Sequence, residues 1–168
     1  VPQQDKWNPQ KRLAHLADLV NLSQAGANRP DFVIWPETAA TFFVEAQPVR
    51  RLQMASILGP DDILITGAPR TYPRDTDDFK VWNAVQVLDS KGEIVASFDK
   101  FHLVPFGEYV PFREWIPIPK LTAGRTDFSF GEGPKTLDVA GMPSFSPLIC
   151  YEVIFPGDVI DDANQPEW

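Results

Sequence analysis

Two short apolar runs, each cut off by a residue that ends regular structure, constrain this chain more than any other feature. Asp31-Phe-Val-Ile-Trp35 stops at Pro36, and Ile63-Leu-Ile-Thr66 stops at Gly67. Runs this short and this apolar read as buried strands rather than helices. Around them the periodicity changes. Leu13, Leu16, Leu19, Val20 and Ser23 recur at helical spacing after Asn8 and Pro9, a cap followed by a first-turn proline, and Gly26 offers the stop. A second helix opens at Pro48, carries Val49, Leu52, Ala55 and Ile57, and closes at Gly59-Pro60. Buried strands alternating with helices predict an α/β sheet with helices on at least one face.

Farther along, Val81–Leu88 and Glu93–Phe98 form two strand-like segments joined by Asp89-Ser-Lys-Gly92, a hairpin turn in which Gly92 supplies the positive φ. Phe101–Thr122 is a long loop rich in proline and aromatic residues, and 17 prolines in 168 residues predict rigid connections. Another strand pair is expected over Lys135–Ile149, turning at Gly141, with Cys150 where the second strand ends. A chain of 168 residues supports one core, and 43% apolar with 23% charged residues is globular composition.

Charge and cysteine usage exclude several function classes. The net charge of −8, with no basic cluster, argues against nucleic acid as a partner, because that binding begins with phosphate neutralisation. One cysteine precludes an internal disulfide, and His15 and His102 lack partners at metal-ligand spacing, so neither a metal nor another cofactor is expected. No apolar run approaches the length of about 18 residues that a membrane span needs.

Three of the expected strands end beside a chemically useful group. Glu37 follows the first strand and Pro36, Lys100 follows the strand ending at Phe98, and Cys150 follows the last. In α/β sheets, groups just beyond strand ends meet in a crevice. The three types also fit one reaction. A thiol with its ordinary pKa of about 8.5 needs a base or a cation to become a nucleophile. Glu37 can take the proton if partial burial tunes it, and Lys100 can favour the thiolate and then the oxyanion, with the Tyr151 N–H as a second donor. Each residue also has a plainer reading. A lone cysteine is commonly an inert buried hydrophobe, Glu37 a carboxylate at a helix N-terminus, and Lys100, Glu108 and Glu152 solvated charges. His102 reads as a packing residue of the loop.

The motifs tip this balance. Val33-Ile-Trp-Pro-Glu-Thr38, Asp99-Lys-Phe-His-Leu-Val-Pro-Phe-Gly-Glu-Tyr-Val-Pro111 and Leu148-Ile-Cys-Tyr-Glu-Val-Ile-Phe-Pro156 occur in this order, preceded by Val1-Pro-Gln-Gln-Asp-Lys-Trp7. Together they resemble the nitrilase (carbon-nitrogen hydrolase) superfamily and, within it, the apolipoprotein N-acyltransferase family of bacterial inner membranes. The long lysine motif is the specific one; the other two indicate the broader superfamily.

That resemblance implies an αββα sandwich, incomplete in this chain, which would start just after the domain's first strand and stop soon after the nucleophile motif. Transmembrane segments would flank it, and the catalytic domain would face the periplasm. It also implies a catalytic triad of Glu37, Lys100 and Cys150. Glu108 would support the lysine and the tetrahedral intermediate, and Tyr151 and Glu152 would serve beside the nucleophile. Trp7 and Pro111 would belong to the site or its mobile loops. The implied reaction moves an acyl chain from a phospholipid through a Cys150 thioester to the N-terminal amine of a diacylated apolipoprotein.

Ala39-Ala-Thr41 departs from the family pattern, which places a proline soon after the glutamate; this bears on loop shape. The apolar side chains between Phe101 and Ile118 either meet lipid tails or fold onto the core. Two other readings compete: a soluble amidase of the same superfamily that uses water as acceptor, and a non-catalytic scaffold or binding domain with an inert site.

Overall fold

A computed structural model of the chain describes residues 5–26, 30–73, 79–112 and 127–168. Four strands form one mixed sheet in the order β1-β2-β3-β4: β1 (Phe32–Ile34), β2 (Ile63–Tyr72), β3 (Lys80–Leu88) and β4 (Ile94–Asp99). Helix α1 (Arg12–Gln24) precedes β1, and α2 (Pro48–Ala55) lies in the crossover between β1 and β2. β1 and β2 are parallel, as a helical crossover requires, with Phe32 opposite Ile63. β2–β3 and β3–β4 are antiparallel, pairing Gly67 with Val85 and Val85 with Phe98.

Core residues follow the period of two. Leu64, Ala68 and Leu88 point to one face of the sheet and pack with Leu16, Val20, Val44, Met54 and Ala55 from the helical layer. Ile63, Ile65, Val87 and Phe98 point to the other, where Leu137, Val139, Phe145 and Ile149 cover them. The fold is therefore a mixed α/β sheet with helices on one face and an irregular segment on the other.

Several elements differ from the sequence reading. β1 is an edge strand of three residues with Ile34 exposed, not a strand buried on both sides. β2 continues through Gly67 and Pro69 to Tyr72. Pro69 is tolerated because Asn83, its partner, turns its backbone carbonyl toward Lys100 of the β4 side, so the missing Pro69 N–H faces the sheet edge past the end of β1. In α2 the apolar Val49 and Leu52 face solvent while Met54 and Ala55 are buried. The rotation is set by Arg51, whose guanidinium donates to the carbonyls of Val44, Glu45 and Gly92. The strand pair expected over 135–149 reduces to one antiparallel bridge, Leu137 with Phe145. Pro143 and Pro147 flank Phe145 and withhold the N–H groups that a longer ladder would need.

The hairpin forms as expected. Gly92 has φ +74°, and Asp89 Oδ1 accepts from the N–H groups of Lys91 and Glu93 at 2.9 and 2.8 Å.

Gly67 is the residue of the sheet that most directly sets the position of Glu37. A Cβ there would overlap the amide nitrogen of Thr38 and come within 2.6 Å of the Glu37 Cα and 2.8 Å of the Pro36 carbonyl oxygen. Only glycine lets the Pro36–Thr38 turn lie this close to β2. Gly67→Ala is expected to cost about 1–3 kcal/mol, the usual range for overpacking, and to push Glu37 out of place. Urea unfolding of the intact variant checks the first expectation, and the alkylation rate of Cys150 checks the second.

Candidate active site

Several of the residues singled out in the sequence meet at one end of the sheet, and local structure explains how each gets there. Lys100 sits one residue past β4, and its backbone N–H extends the ladder to the Asn83 carbonyl at 2.9 Å. Its direction is fixed by the residue before it. Asp99 takes both bonds of the Arg70 guanidinium on the helical face, and Arg70 also lies 4.3 Å from the centre of the Trp82 ring. The bond to Asp99 raises the Arg70 pKa above its ordinary value, although burial acts against it. Since successive residues of a strand alternate, pinning Asp99 to one face sends Lys100 to the other.

There Lys100 is only 1% exposed and its Nζ lies 2.8 Å from Glu108 Oε2. Glu108 Oε2 also accepts the Val104 N–H at 2.8 Å. Gly131 closes the site from below: its N–H donates to the Lys100 carbonyl at 2.9 Å, and a Cβ at this glycine would collide with the Asp99 backbone.

Glu37 hangs over the end of the sheet on the turn that Gly67 admits. Trp35, just before it, is anchored to α1 through its indole N–H, which donates to Ser23 Oγ at 2.9 Å. Lys6 Nζ donates to the Glu37 backbone carbonyl at 3.0 Å. The Glu37 side chain itself is exposed, contrary to the partial burial expected from sequence. Its Oε1 accepts from Asn83 Nδ2 at 2.7 Å, and the same nitrogen donates to Glu108 Oε1 at 2.8 Å. A continuous chain of contacts thus runs Glu37–Asn83–Glu108–Lys100.

Cys150 is exposed and follows extended Ile149, but it opens a 3-10 turn, Cys150–Ile154, rather than closing a strand. Its φ is +50°, in the left-handed region where a residue with a Cβ is strained by about 1–3 kcal/mol. Thr38, beside Glu37, has the same φ of 50° and is β-branched, which makes it a sharper outlier. Glu152 holds the turn in place. It is fully buried, with Oε2 accepting the Ile149 N–H at 2.9 Å and Oε1 accepting the N–H groups of Phe101 and His102 at 2.9 and 3.2 Å. One carboxylate ties the cysteine turn to the loop that follows Lys100; the solvated-charge reading of Glu152, and likewise of Glu108, is overturned.

Glu37 and Cys150 line one cleft of about 520 Å³, walled by Ile34, Trp35, Ile65, Phe145, Leu148 and Trp168. Lys100, Glu108 and Asn83 are not among its lining residues; their chain of contacts reaches the cleft at Glu37. Tyr151 packs edge-on against Phe155, which stacks on His102, whose Nε2 lies 3.2 Å from Asp158. Trp7 is half-buried in the turn before α1, Pro111 is half-buried at the end of the loop, and neither lines the cleft. In that loop Leu103 and Val110 are buried while Phe106 and Phe112 are exposed; Trp115, Ile116 and Ile118 lie outside the described residues.

Among the described residues no group of histidine, cysteine and carboxylate side chains is arranged to hold a metal, and no helix is long and apolar enough to cross a membrane. Asn83 is the functional-site residue that the sequence reading passed over. Its signal was an amide in the mostly apolar Val81–Leu88 strand, a signal shared with Gln86, which the period of two sends to the helical face.

A family model described as carbon-nitrogen hydrolase matches residues 1–166. Apolipoprotein N-acyltransferases of Bradyrhizobium diazoefficiens and Agrobacterium fabrum are 36% and 40% identical to it over 97% and 80% of this chain. The chain spans about a third or less of these relatives, 32% and 26% of their length. In structure it resembles an amidase from Nesterenkonia sp. AN1, with a TM-score of 0.52 and 21% identity over 89% of this chain and 53% of the amidase. A glutamine-dependent NAD+ synthetase from Acinetobacter baumannii matches with a TM-score of 0.50 and 18% identity over 84% of this chain and 25% of its own. At such identities the structural likeness is one of fold.

The three N–H groups gathered by Glu152 give a direct test. Glu152→Gln replaces one accepting oxygen with a donor facing N–H groups and is expected to destabilise the intact protein by about 1.5–3 kcal/mol, the worth of hydrogen bonds to a charged group. Thermal unfolding measures it. Glu152→Asp, which keeps the charge but shortens the reach, should fall between the two.

Proposed function

The chain belongs to the carbon-nitrogen hydrolase family, and from that premise we propose that it is the catalytic segment of an apolipoprotein N-acyltransferase with Glu37 as base, Cys150 as nucleophile and Lys100 as the supporting cation. The observation that carries this reading is the sharing of one apolar-walled cleft by the exposed Cys150 and the Glu37 carboxylate. Sequence likeness to the acyltransferases over nearly the whole chain favours acyl transfer over amide hydrolysis; the amidases are neighbours in fold alone.

Cys150 Sγ attacks the carbonyl carbon of a phospholipid acyl ester while Glu37 takes the thiol proton. The tetrahedral oxyanion is stabilised by the Tyr151 N–H and by the positive charge of Lys100. Its collapse breaks the ester C–O bond, and the lysophospholipid leaves with the proton from Glu37. A thioester remains on Cys150. The terminal amine of a diacylated apolipoprotein then attacks it, Glu37 accepts the amine proton, and the proton returns to sulfur as the amide forms. Splitting one transfer into two is what a covalent nucleophile contributes. The aliphatic and aromatic walls of the cleft suit an acyl chain, and the exposed Phe106 and Phe112 suit contact with a membrane surface at the periplasmic face of the inner membrane.

Incubating the intact protein with phospholipid vesicles should place one acyl mass increment on the Cys150 peptide, absent in Cys150→Ala and discharged when a diacylated lipopeptide is added. No increment sinks the proposal. Discharge at the same rate with and without lipopeptide, releasing free fatty acid, would instead identify a hydrolase.

A further inference from the structure

The acyl-transfer mechanism leaves Asn83 without a role, yet it holds the most constrained position in the site. It is 4% exposed, and its Nδ2 faces two carboxylate oxygens at once, Glu37 Oε1 at 2.7 Å and Glu108 Oε1 at 2.8 Å. Two acceptors on one side of an amide fix which end is which: the NH2 group, with two hydrogens and no lone pair to offer, must be the end that lies between them. Both hydrogens are thereby used.

The consequence concerns protons. An oxygen that accepts one of these bonds is the less basic of the pair, which favours Glu37 Oε2 for the proton it takes. On the far side, Glu108 Oε2 already accepts from Lys100 Nζ and the Val104 N–H, and Oε1 is held by Asn83. Both Glu108 oxygens are therefore engaged by donors. A neutral donor thus stands between the two carboxylates and bonds to both. Of the neighbouring acids, Glu45 and Asp99 belong to the helical face, where they meet Gln86 and Arg70, while Glu152 is taken up by the N–H groups of Ile149, Phe101 and His102 and Asp127 accepts from the Val110 N–H. Lys6 reaches only the Glu37 backbone.

We infer that Asn83 is the positioning residue that keeps Glu37 a usable base: it occupies Oε1, presents Oε2 to the Cys150 side of the cleft, and insulates Glu37 from the Glu108–Lys100 pair. This rests on the proposed role of Glu37. A purely structural asparagine would fill space and satisfy the strand end, with no bearing on when Cys150 ionises.

The test measures the rate at which iodoacetamide alkylates Cys150 in the intact protein as a function of pH, read by mass spectrometry of the Cys150 peptide. Glu37→Gln should slow alkylation at neutral pH by about tenfold or more and remove the acid limb of the profile. Asn83→Asp puts a third carboxyl between the two and should move that limb upward by about one pH unit or more. Asn83→Ser, which keeps one donor and is the variant to read if Asn83→Asp does not fold, should move it part of the way. Profiles of Asn83→Asp or Asn83→Ser that overlay the native one, while Glu37→Gln loses reactivity, overturn the inference and leave the proposed function standing. A native profile in Glu37→Gln removes the base itself, and with it both.

Discussion

An ammonium that is almost wholly withdrawn from water has to be paired, and in this fold that requirement organises everything around it. Leaving Lys100 buried without a partner would cost several kcal/mol. Glu108 meets it at 2.8 Å and in doing so draws in the loop that carries Glu108, since the same carboxylate holds the Val104 N–H four residues back. The N–H groups of Phe128 and Gly131 bond in turn to the carbonyls of Glu108 and Lys100. One ion pair thus holds residues 101–112 at the end of the sheet where the other site residues emerge.

Two glycines make the close approaches possible. Gly67 lets the Glu37 turn lie against β2, and Gly131 lets the returning segment lie against the Asp99–Lys100 backbone. The Trp35–Ser23 bond adds a tether from the other side, so the Glu37 turn is held between a helix and a strand. These contacts cost strain. Thr38 and Cys150 both adopt left-handed φ, as do Phe106 and Phe112, and Glu152 supplies the compensation at Cys150 by gathering three backbone N–H groups into a fully buried carboxylate. Backbone strain of this kind recurs at functional sites, and here one strained residue is next to Glu37 and another is Cys150 itself.

The helical face of the sheet contributes indirectly. Arg70, stacked on Trp82 and bonded to Asp99, does not approach the cleft, yet it decides which way Lys100 points. A residue can therefore belong to the site's architecture while sitting on the opposite side of the sheet from its chemistry.

Much of this was legible along the chain. The parallel crossover, the Gly92 hairpin and the placement of Glu37 and Lys100 just past strands follow from local patterns, because period, turn residues and chain breakers act over a few residues. The residue types of the chemistry were legible for the same reason, in motifs of contiguous sequence. Other features were not. The exposure of Ile34 and Leu52, the collapse of the last strand pair to a single bridge, the burial of Glu152 and the bridging by Asn83 each depend on what lies across space from the residue. Apolar patterning states that a side chain can be buried but not which neighbour will bury it, and an amide in a strand declares no partner until two carboxylates from distant loops are brought to it. Sequence alone determined the elements and the chemical groups available. Tertiary structure decided which of those groups share a face, which charge pairs with which, and which oxygen of Glu37 bonds to Asn83, because hydrogen bonds and ion pairs are set by distances of a few ångströms that no spacing along the chain encodes.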